Sequence, residues 1–127
     1  MAGVIRLDTH VVVWLYTGEV AKLSRRAVEL VEAHVPVISP MVQLELTYLH
    51  EIGRLSISGA EVVGDLSERI GLRLSDSALA PVVQAAASLS WTRDPFDRMI
   101  VADALVASAE LVTKDATIAA RCSLATW

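Results

Sequence analysis

The sequence predicts an α/β fold in which helices cover both faces of a mostly parallel sheet. Short apolar runs that are typical of buried strands alternate with longer segments of helical periodicity, which indicates repeated βαβ units. Residues that commonly cap helices stand at the starts of several of these helical segments. Because a chain of 127 residues is long enough for one hydrophobic core, we expect a single domain over residues 1–127.

The elements follow from apolar runs and from helix starts. Strands are predicted at residues 4–7, 35–38, 72–74, 111–113 and 123–127, the last at a sheet edge. Helices are predicted at residues 10–16, 24–33, 40–53, 59–70, 78–89, 95–108 and 116–121. Most of these helices are opened by a typical capping or first-turn residue, namely Thr9, Ser24, Ser39-Pro40, Ser58 and Asp94-Pro95.

Composition restricts the class of protein. No apolar stretch reaches the roughly 18 residues of a membrane span, and no basic segment leads a signal-type apolar run at the N-terminus. The single cysteine, Cys122, excludes an internal disulfide and fits a reducing compartment, so we expect a cytoplasmic protein. The net charge of −4 argues mildly against a nonspecific polyanion binder. However, the chain is about neutral when four candidate metal-binding acids are set aside, so charge does not decide the partner.

Two acids follow predicted strands. Asp8 closes the run 4–7, and Asp115 lies just beyond the run 111–113. In parallel sheets, ligands bind beyond the carboxyl ends of the strands, and clustered carboxylates recruit hard cations such as Mg²⁺ and Mn²⁺. Each acid could instead be an ordinary N-cap of the helix that follows it, and this alternative stays open.

Glu45 has an unusual position on its helix. The polar residues Gln43, Thr47, His50 and Glu51 form one stripe, and Glu45 falls nearly opposite its centre, among residue types that usually pack in a core. An unpaired carboxylate is costly to bury there, so we expect Glu45 to face a metal site. A buried ion pair with an arginine is the alternative.

Two further acids lie on the predicted helix 95–108. Asp97 occupies the third position after the cap Asp94, where a carboxylate favourably meets the positive end of a helix. The helix is nevertheless apolar nearly all round, which favours an inward direction for Asp97. Asp103 is an additional acid inside the same apolar helix, and an interior charge there is also unexpected.

Other chemistries have little support. The chain has no G-x-S-x-G, P-loop or G-x-G-x-x-G motif. His10, His34 and His50 show no metal-ligand spacing, so we predict structural or solvent-facing roles for them. Cys122 has no obvious activating neighbour, so a buried inert thiol is expected.

The chain resembles the PIN-domain nucleases, and most closely the VapC-type toxins of toxin–antitoxin pairs. The residues that carry the resemblance are Asp8-Thr9-His10, Ile38-Ser39-Pro40 leading to Glu45, Arg93-Asp94-Pro95-Phe96-Asp97-Arg98, and Leu111-Val112-Thr113-Lys114-Asp115. The resemblance implies a three-layer α/β/α sandwich with an acidic metal pocket. Asp8, Glu45, Asp97 and Asp115 match the family's acidic positions, and Thr113 matches a hydroxyl position near the pocket. Asp103 departs from the family pattern and is a further candidate ligand.

The resulting hypothesis is a Mg²⁺- or Mn²⁺-dependent endoribonuclease toxin that uses a metal-activated water. Arg98 and Lys114 are candidate phosphate contacts, with solvated or ion-paired roles as the alternative. Crowded carboxylates should show raised pKa values without metal, and metal binding should stabilise the protein. A metal-dependent phosphohydrolase of small phosphate esters and a catalytically silent binding module are the competing hypotheses.

The resemblance also implies a homodimer and a cognate antitoxin, which together form a hetero-oligomer. The antitoxin would cover a groove and occupy the acidic pocket. Apolar residues 11–16, together with Leu46 and Leu49, exceed what one sheet face needs and fit such a partner surface. Ordinary core packing is the alternative.

Overall fold

A five-stranded parallel sheet forms the centre of the computed structural model, which describes residues 3–127. Its strands are β1 (Val4–Leu7), β2 (Val35–Ile38), β3 (Arg73–Leu74), β4 (Leu111–Val112) and β5 (Ala125–Thr126). They lie in the order β3-β2-β1-β4-β5, and every neighbouring pair is parallel. The predicted parallel sheet is therefore confirmed, with β1 at its middle.

Helices connect the strands at the predicted places. Within residues 3–127 they are α1 (Thr9–Thr17), α2 (Arg25–Ala33), α3 (Pro40–Glu51), α4 (Gly59–Ile70), α5 (Leu79–Ala87), α6 (Pro95–Ala107) and α7 (Ala116–Arg121). Their ends differ from the predicted ends by at most two residues, and α4 and α7 have the predicted bounds. A short 3₁₀ turn at Val20–Lys22, which no sequence pattern indicated, follows α1.

The helix starts are largely those that the sequence predicted. The side chains of Ser24, Ser39, Ser58 and Asp94 each accept a hydrogen bond from a backbone N–H in the first turn of the following helix. The exception is α1, whose cap is Asp8 rather than Thr9. Thr9 already belongs to the helix, and its hydroxyl donates to Glu45 rather than accepting from a backbone N–H as a cap would.

Both faces of the sheet are covered. Along β1 the successive residues Ile5, Arg6 and Leu7 point to alternate faces, and all three are buried. The charge of Arg6 is balanced by Asp103 on α6, with 2.6 Å between Arg6 Nε and Asp103 Oδ2. Ser75 donates a hydrogen bond of 2.7 Å to the other oxygen of Asp103. The three-layer α/β/α arrangement is therefore confirmed.

A close contact fixes α3, the helix that carries Glu45. Gly59 begins α4 against the middle of α3, where an added Cβ atom would lie 2.7 Å from the carbonyl oxygen of Gln43 and 2.8 Å from the Thr47 hydroxyl. Any larger residue would force the two helices apart. The glycine therefore sets the position of α3 relative to α4.

The apolar surface differs from the expected one. Val11, Val12 and Leu46 are fully buried, so for them the core-packing alternative holds. The exposed apolar residues here are instead Leu44 and Tyr48 on α3 and Ile52 directly after it, which recur at every fourth position. Among residues 3–127, no helix has both the length and the apolar character needed to cross a membrane.

Candidate functional site

The four acids singled out in the sequence line one pocket of about 260 Å³. Asp8 lies at the end of β1, and Asp115 lies after β4, the neighbouring strand. Glu45 reaches the pocket from α3, and Asp97 reaches it from the first turn of α6. The structure thus brings together carboxylates from four separate segments beyond the carboxyl ends of parallel strands, where such folds bind ligands.

Asp8 is buried and both of its oxygens are engaged. Oδ1 accepts from the backbone N–H of Thr9 at 2.8 Å, and Oδ2 accepts from the Thr113 hydroxyl at 2.6 Å. Thr113 is itself buried, and its Oγ1 accepts from the backbone N–H of Asp115 at 3.0 Å. Thr113 therefore connects the two acids that follow β1 and β4.

Asp115 combines the capping and pocket roles that the sequence left open. Its Oδ1 accepts from the backbone N–H groups of Thr117 and Ile118, at 2.8 and 3.0 Å, and so caps α7. Its second oxygen has no hydrogen-bond donor among residues 3–127. One oxygen can therefore cap the helix while the other faces the pocket.

Glu45 reaches the pocket for a reason that differs from the predicted one. Three neighbours on its side of the helix, Leu44, Tyr48 and Ile52, are 52%, 48% and 49% exposed. Of the others, Met41 packs against the core and Leu49 lines the pocket. Within the described residues, no arginine pairs with Glu45, and the Thr9 hydroxyl donates to its Oε1. Burial raises the pKa of Glu45 most strongly, and the nearby Asp8 and Asp94 raise it further against the lowering effect of the Thr9 hydroxyl.

Asp97 has the most strongly shifted carboxyl group of the pocket. Burial is the largest cause, followed by repulsion from Asp94, Asp8, Asp115 and Glu45, and together they raise the pKa of Asp97 to about 7. The cap of α6 is Asp94, whose Oδ1 accepts from the backbone N–H groups of Phe96 and Asp97. The side chain of Asp97 is therefore not needed at the helix end. The raised pKa values of Asp97 and Glu45 agree with the crowding expected from the sequence.

His10 belongs to the pocket, although its sequence context indicated no role in a site. Its Nε2 accepts from the backbone N–H of Lys114 at 2.8 Å, so the hydrogen-bond network assigns the proton to Nδ1. Nδ1 lies 3.6 Å from Asp8 Oδ2. Burial lowers the pKa of His10 more than Asp8 raises it, which favours the neutral ring. Its position two residues after Asp8, in the first turn of α1, was the signal available in the sequence.

Two predicted site residues, Asp103 and Arg98, do not line the acidic pocket. Asp103 does not line the acidic pocket, because its buried carboxylate is paired with Arg6 and Ser75. Arg98 directs its Nε to the carbonyl oxygen of Thr92, at 2.8 Å. Lys114 is exposed beside the pocket, with its ammonium 5.9 Å from the centroid of the Trp14 ring. Of the two candidate phosphate contacts, Lys114 is therefore the one that adjoins the acids.

The donor set fits a hard divalent cation. The four acids and the Thr113 hydroxyl offer oxygen atoms alone, which Mg²⁺ and Mn²⁺ prefer. Within residues 3–127, no three His, Cys, Asp or Glu side chains are already arranged as ligands of one ion. Because the carboxylates repel one another, we expect them to stay apart until a cation draws them together. The pocket is thus a collection of suitable ligands rather than a preformed metal centre.

Comparison with known proteins points to one family. The family model described as PIN domain matches residues 5–123. No curated protein sequence gives a significant match to this chain. The chain is similar in structure to VapBC2 from Rickettsia felis bound to a DNA fragment from its promoter, with 17% sequence identity, a TM-score of 0.69, and coverage of 96% of this chain and 95% of that chain. It is also similar to a toxin–antitoxin complex from Klebsiella pneumoniae, with 16% identity, a TM-score of 0.67, and coverage of 97% and 96%. At such identities, the similarity establishes the fold.

Proposed function

Because this chain belongs to the PIN-domain family, we propose that it is a metal-dependent endoribonuclease and the toxin of a toxin–antitoxin pair. The observation that carries the proposal is the convergence of Asp8, Glu45, Asp97 and Asp115 on one pocket. The residues that line this pocket include no serine, cysteine or lysine, and the Thr9 hydroxyl among them donates to Glu45. The family match over residues 5–123 supports one PIN domain across residues 1–127.

The four acids would hold Mg²⁺ or Mn²⁺, with the Thr113 hydroxyl beside them. A bound ion would lower the pKa of a coordinated water and stabilise the charge that develops on a phosphodiester. The chain itself would orient the ligands. Thr113 holds Asp8 through a hydrogen bond of 2.6 Å, and the Thr9 hydroxyl holds Glu45. Such hydrogen bonds fix the direction of ligands that would otherwise rotate freely.

The proposed partners follow from the surface and from the structural relatives. Both relatives described above are toxin–antitoxin complexes, which supports a cognate antitoxin and a hetero-oligomer. A groove of about 190 Å³ is mainly apolar and fits an apolar segment of such a partner; it is lined by Leu15, Val20, Leu23, Val28, Val31, Glu32 and Ile70. A cationic side chain of the antitoxin would neutralise the acidic pocket. The exposed residues Leu44, Tyr48 and Ile52 fit a homodimer contact. Action on cellular RNA would require a cytoplasmic protein.

The direct test is cleavage of RNA by the purified chain with Mg²⁺ or Mn²⁺ and, separately, with a chelator. We expect Glu45→Gln and Asp97→Asn to lower turnover about 100-fold, because each removes a charged ligand. Glu51→Gln is the matched control, since Glu51 is exposed on the same helix as Glu45 and does not line the pocket. Wild-type turnover in both pocket variants would sink the proposal.

Two parallel measurements separate the competing functions. Hydrolysis of small phosphate esters without cleavage of RNA would identify a phosphohydrolase. A silent binding module would bind no Mn²⁺ in a calorimetric titration. Its activity would also be the same in the wild-type protein and in the Glu45→Gln and Asp97→Asn variants.

A further inference from the structure

Part of the lining of the acidic pocket is aromatic and apolar. His10, Val13, Trp14 and Leu49 line the pocket together with the acids. His10 and Trp14 are one helical turn apart on α1, so their rings lie on the same side of the helix. Carboxylates and hydroxyls suffice to hold a cation, and the proposed hydrolysis gives Trp14 no task. This part of the pocket therefore needs its own explanation.

The ring of Trp14 is held in place by two other rings. The centroids of His10 and Trp14 are 5.0 Å apart, and those of Trp14 and Trp127 are 6.1 Å apart. His10 and Trp127 also contact each other, at 6.3 Å with an interplanar angle of 65°. All three side chains are partly buried. A ring fixed in this way loses little conformational entropy when a ligand packs on it.

Two ammonium groups lie at nearly the same distance from Trp14 but differ in their ion pairing. The Nζ atoms of Lys22 and Lys114 are 5.8 and 5.9 Å from the ring centroid. Lys22 forms an ion pair with Glu19, whereas Lys114 has no acidic partner among residues 3–127. Lys114 directly precedes Asp115 and is exposed. It is therefore a positive charge that no described carboxylate pairs with, beside the Trp14 ring at the edge of an acidic pocket.

We propose that Trp14 stacks on an unpaired nucleobase of the RNA beside the cleaved phosphodiester, and that Lys114 binds a backbone phosphate of the same strand. The inference rests on the proposed nuclease function and assigns Trp14 and Lys114 to substrate binding. Aromatic rings combined with free cations are the usual means of holding single-stranded nucleic acid. With a net charge of −4, the protein also needs a local cation to bring a polyanion to its acids.

The Trp14 ring can take part in binding only a base that is unpaired. A base can stack on Trp14 only when it has left its own helix, so this contact adds affinity for the strand at the cleaved position. Every base has a face that can stack, so Trp14 contributes affinity without selecting a particular base.

The first test compares kinetic constants on a single-stranded RNA oligomer whose cleavage position has been mapped. We expect Trp14→Ala to raise KM about tenfold with little change in kcat, and Trp14→Phe to remain close to wild type. Trp91→Phe is the control, because Trp91 does not line the pocket. An unchanged KM in Trp14→Ala would overturn the stacking role.

An abasic substrate distinguishes stacking from a structural effect. When the nucleotide beside the cleavage position lacks its base, wild type and Trp14→Ala should have the same KM. A tenfold difference that persists when either neighbouring position is abasic would mean that Trp14 only supports the fold, and would overturn the proposal.

The second test uses the two lysines as a matched pair. Lys114→Ala should reduce the slope of log affinity against log salt by about 0.7, the value for one phosphate contact to a single strand. Lys114→Arg should keep the slope. Lys22→Ala should leave it unchanged, because Glu19 already neutralises Lys22. Equal effects of Lys22→Ala and Lys114→Ala would contradict a specific contact by Lys114.

A binding measurement separates this inference from the proposed function. In the variant Trp91→Phe/Trp127→Phe, Trp14 is the one remaining tryptophan, and single-stranded RNA should quench its fluorescence. Quenching without cleavage would support the stacking site while the nuclease function fails. Cleavage without quenching would overturn the stacking site alone.

Discussion

The imidazole of His10 accepts a hydrogen bond of 2.8 Å from the backbone N–H of Lys114. This bond connects the first turn of α1, which follows Asp8, with the loop that carries Asp115. The same ring lies 3.6 Å from Asp8 and packs against Trp14. His10 therefore holds the two strand-end acids at a fixed separation without being needed as a ligand itself.

Replacing His10 with Phe should weaken metal binding. The variant His10→Phe keeps a ring against Trp14 but cannot accept the hydrogen bond from Lys114, so the loop with Asp115 becomes less well fixed. We expect about tenfold weaker Mn²⁺ binding by calorimetry, with partial recovery in His10→Gln. His34→Phe is the control, since His34 contacts the carbonyl oxygen of Leu30 outside the pocket. Equal Mn²⁺ affinity in wild type and His10→Phe would refute this role.

Removing the hydroxyl of Thr113 should destabilise the fold. Thr113→Val leaves the buried Asp8 without one of its donors and the backbone N–H of Asp115 without its acceptor. We expect a loss of about 1–3 kcal/mol in the free energy of unfolding, measured with urea. The exposed Thr17 offers a comparison, and Thr17→Val should stay within about 0.5 kcal/mol of wild type. Similar values for the two variants would show that the buried hydrogen bonds contribute little.

The metal-free protein should lose stability as the pH rises from about 4 to 7. The pKa of Asp97 is raised from 3.8 to about 7 in the folded state, so over this range the folded state binds a proton that the unfolded state has released. The stabilising contribution is complete below the unfolded pKa and disappears as the pH passes the folded pKa. The raised pKa of Glu45 acts in the same direction.

Thermal unfolding in the presence of a chelator measures this dependence. Asp97→Asn should flatten the decline, and Mn²⁺ should raise the Tm of wild type most at the upper end of the range, where the carboxylates are charged. A wild-type profile with the same slope as that of Asp97→Asn would contradict the assignment to Asp97.

The ion pair between Arg6 and Asp103 should matter for stability and not for metal binding. Asp103→Leu leaves a buried guanidinium without its carboxylate, which should cost about 3–5 kcal/mol. The double variant Arg6→Met/Asp103→Leu should recover most of this loss, because it replaces both charges with apolar groups. Its Mn²⁺ affinity, measured by calorimetry, should equal that of wild type. A lower Mn²⁺ affinity in the stable double variant would show that Asp103 takes part in metal binding.

The sequence was sufficient for the sheet and for the helices, because each signal is local. Apolar runs, serine caps and Asp94-Pro95 all act within a few residues of the element that they define. The gathering of Asp8 and Asp115 could also be predicted, since carboxyl ends of parallel strands share one edge of a sheet. The start of α1 was assigned to Thr9, and the capping role left open for Asp8 is the one observed, because both residues are capping types.

The sequence was not sufficient where a side chain depends on a distant partner. Asp103 looked like an extra ligand because Arg6, its partner, lies 97 residues away within an apparently apolar strand. His10 was excluded from the site because its partner is a backbone N–H of a distant loop. For Glu45 the predicted direction agrees with the structure, but the packing argument behind it holds only in part, since Met41 packs against the core while Leu44, Tyr48 and Ile52 are exposed.

The hydrogen bond between Asp8 and Thr113 joins residues that are 105 positions apart. A chain that ends before β4 has Asp8, Glu45 and Asp97 but lacks Thr113 and Asp115. During synthesis the acidic pocket therefore stays incomplete until β4 and Asp115 have been made and β4 has paired with β1. The proposed chemistry therefore depends on a contact that forms late in folding, and chains that stop before β4 lack one of the four acids.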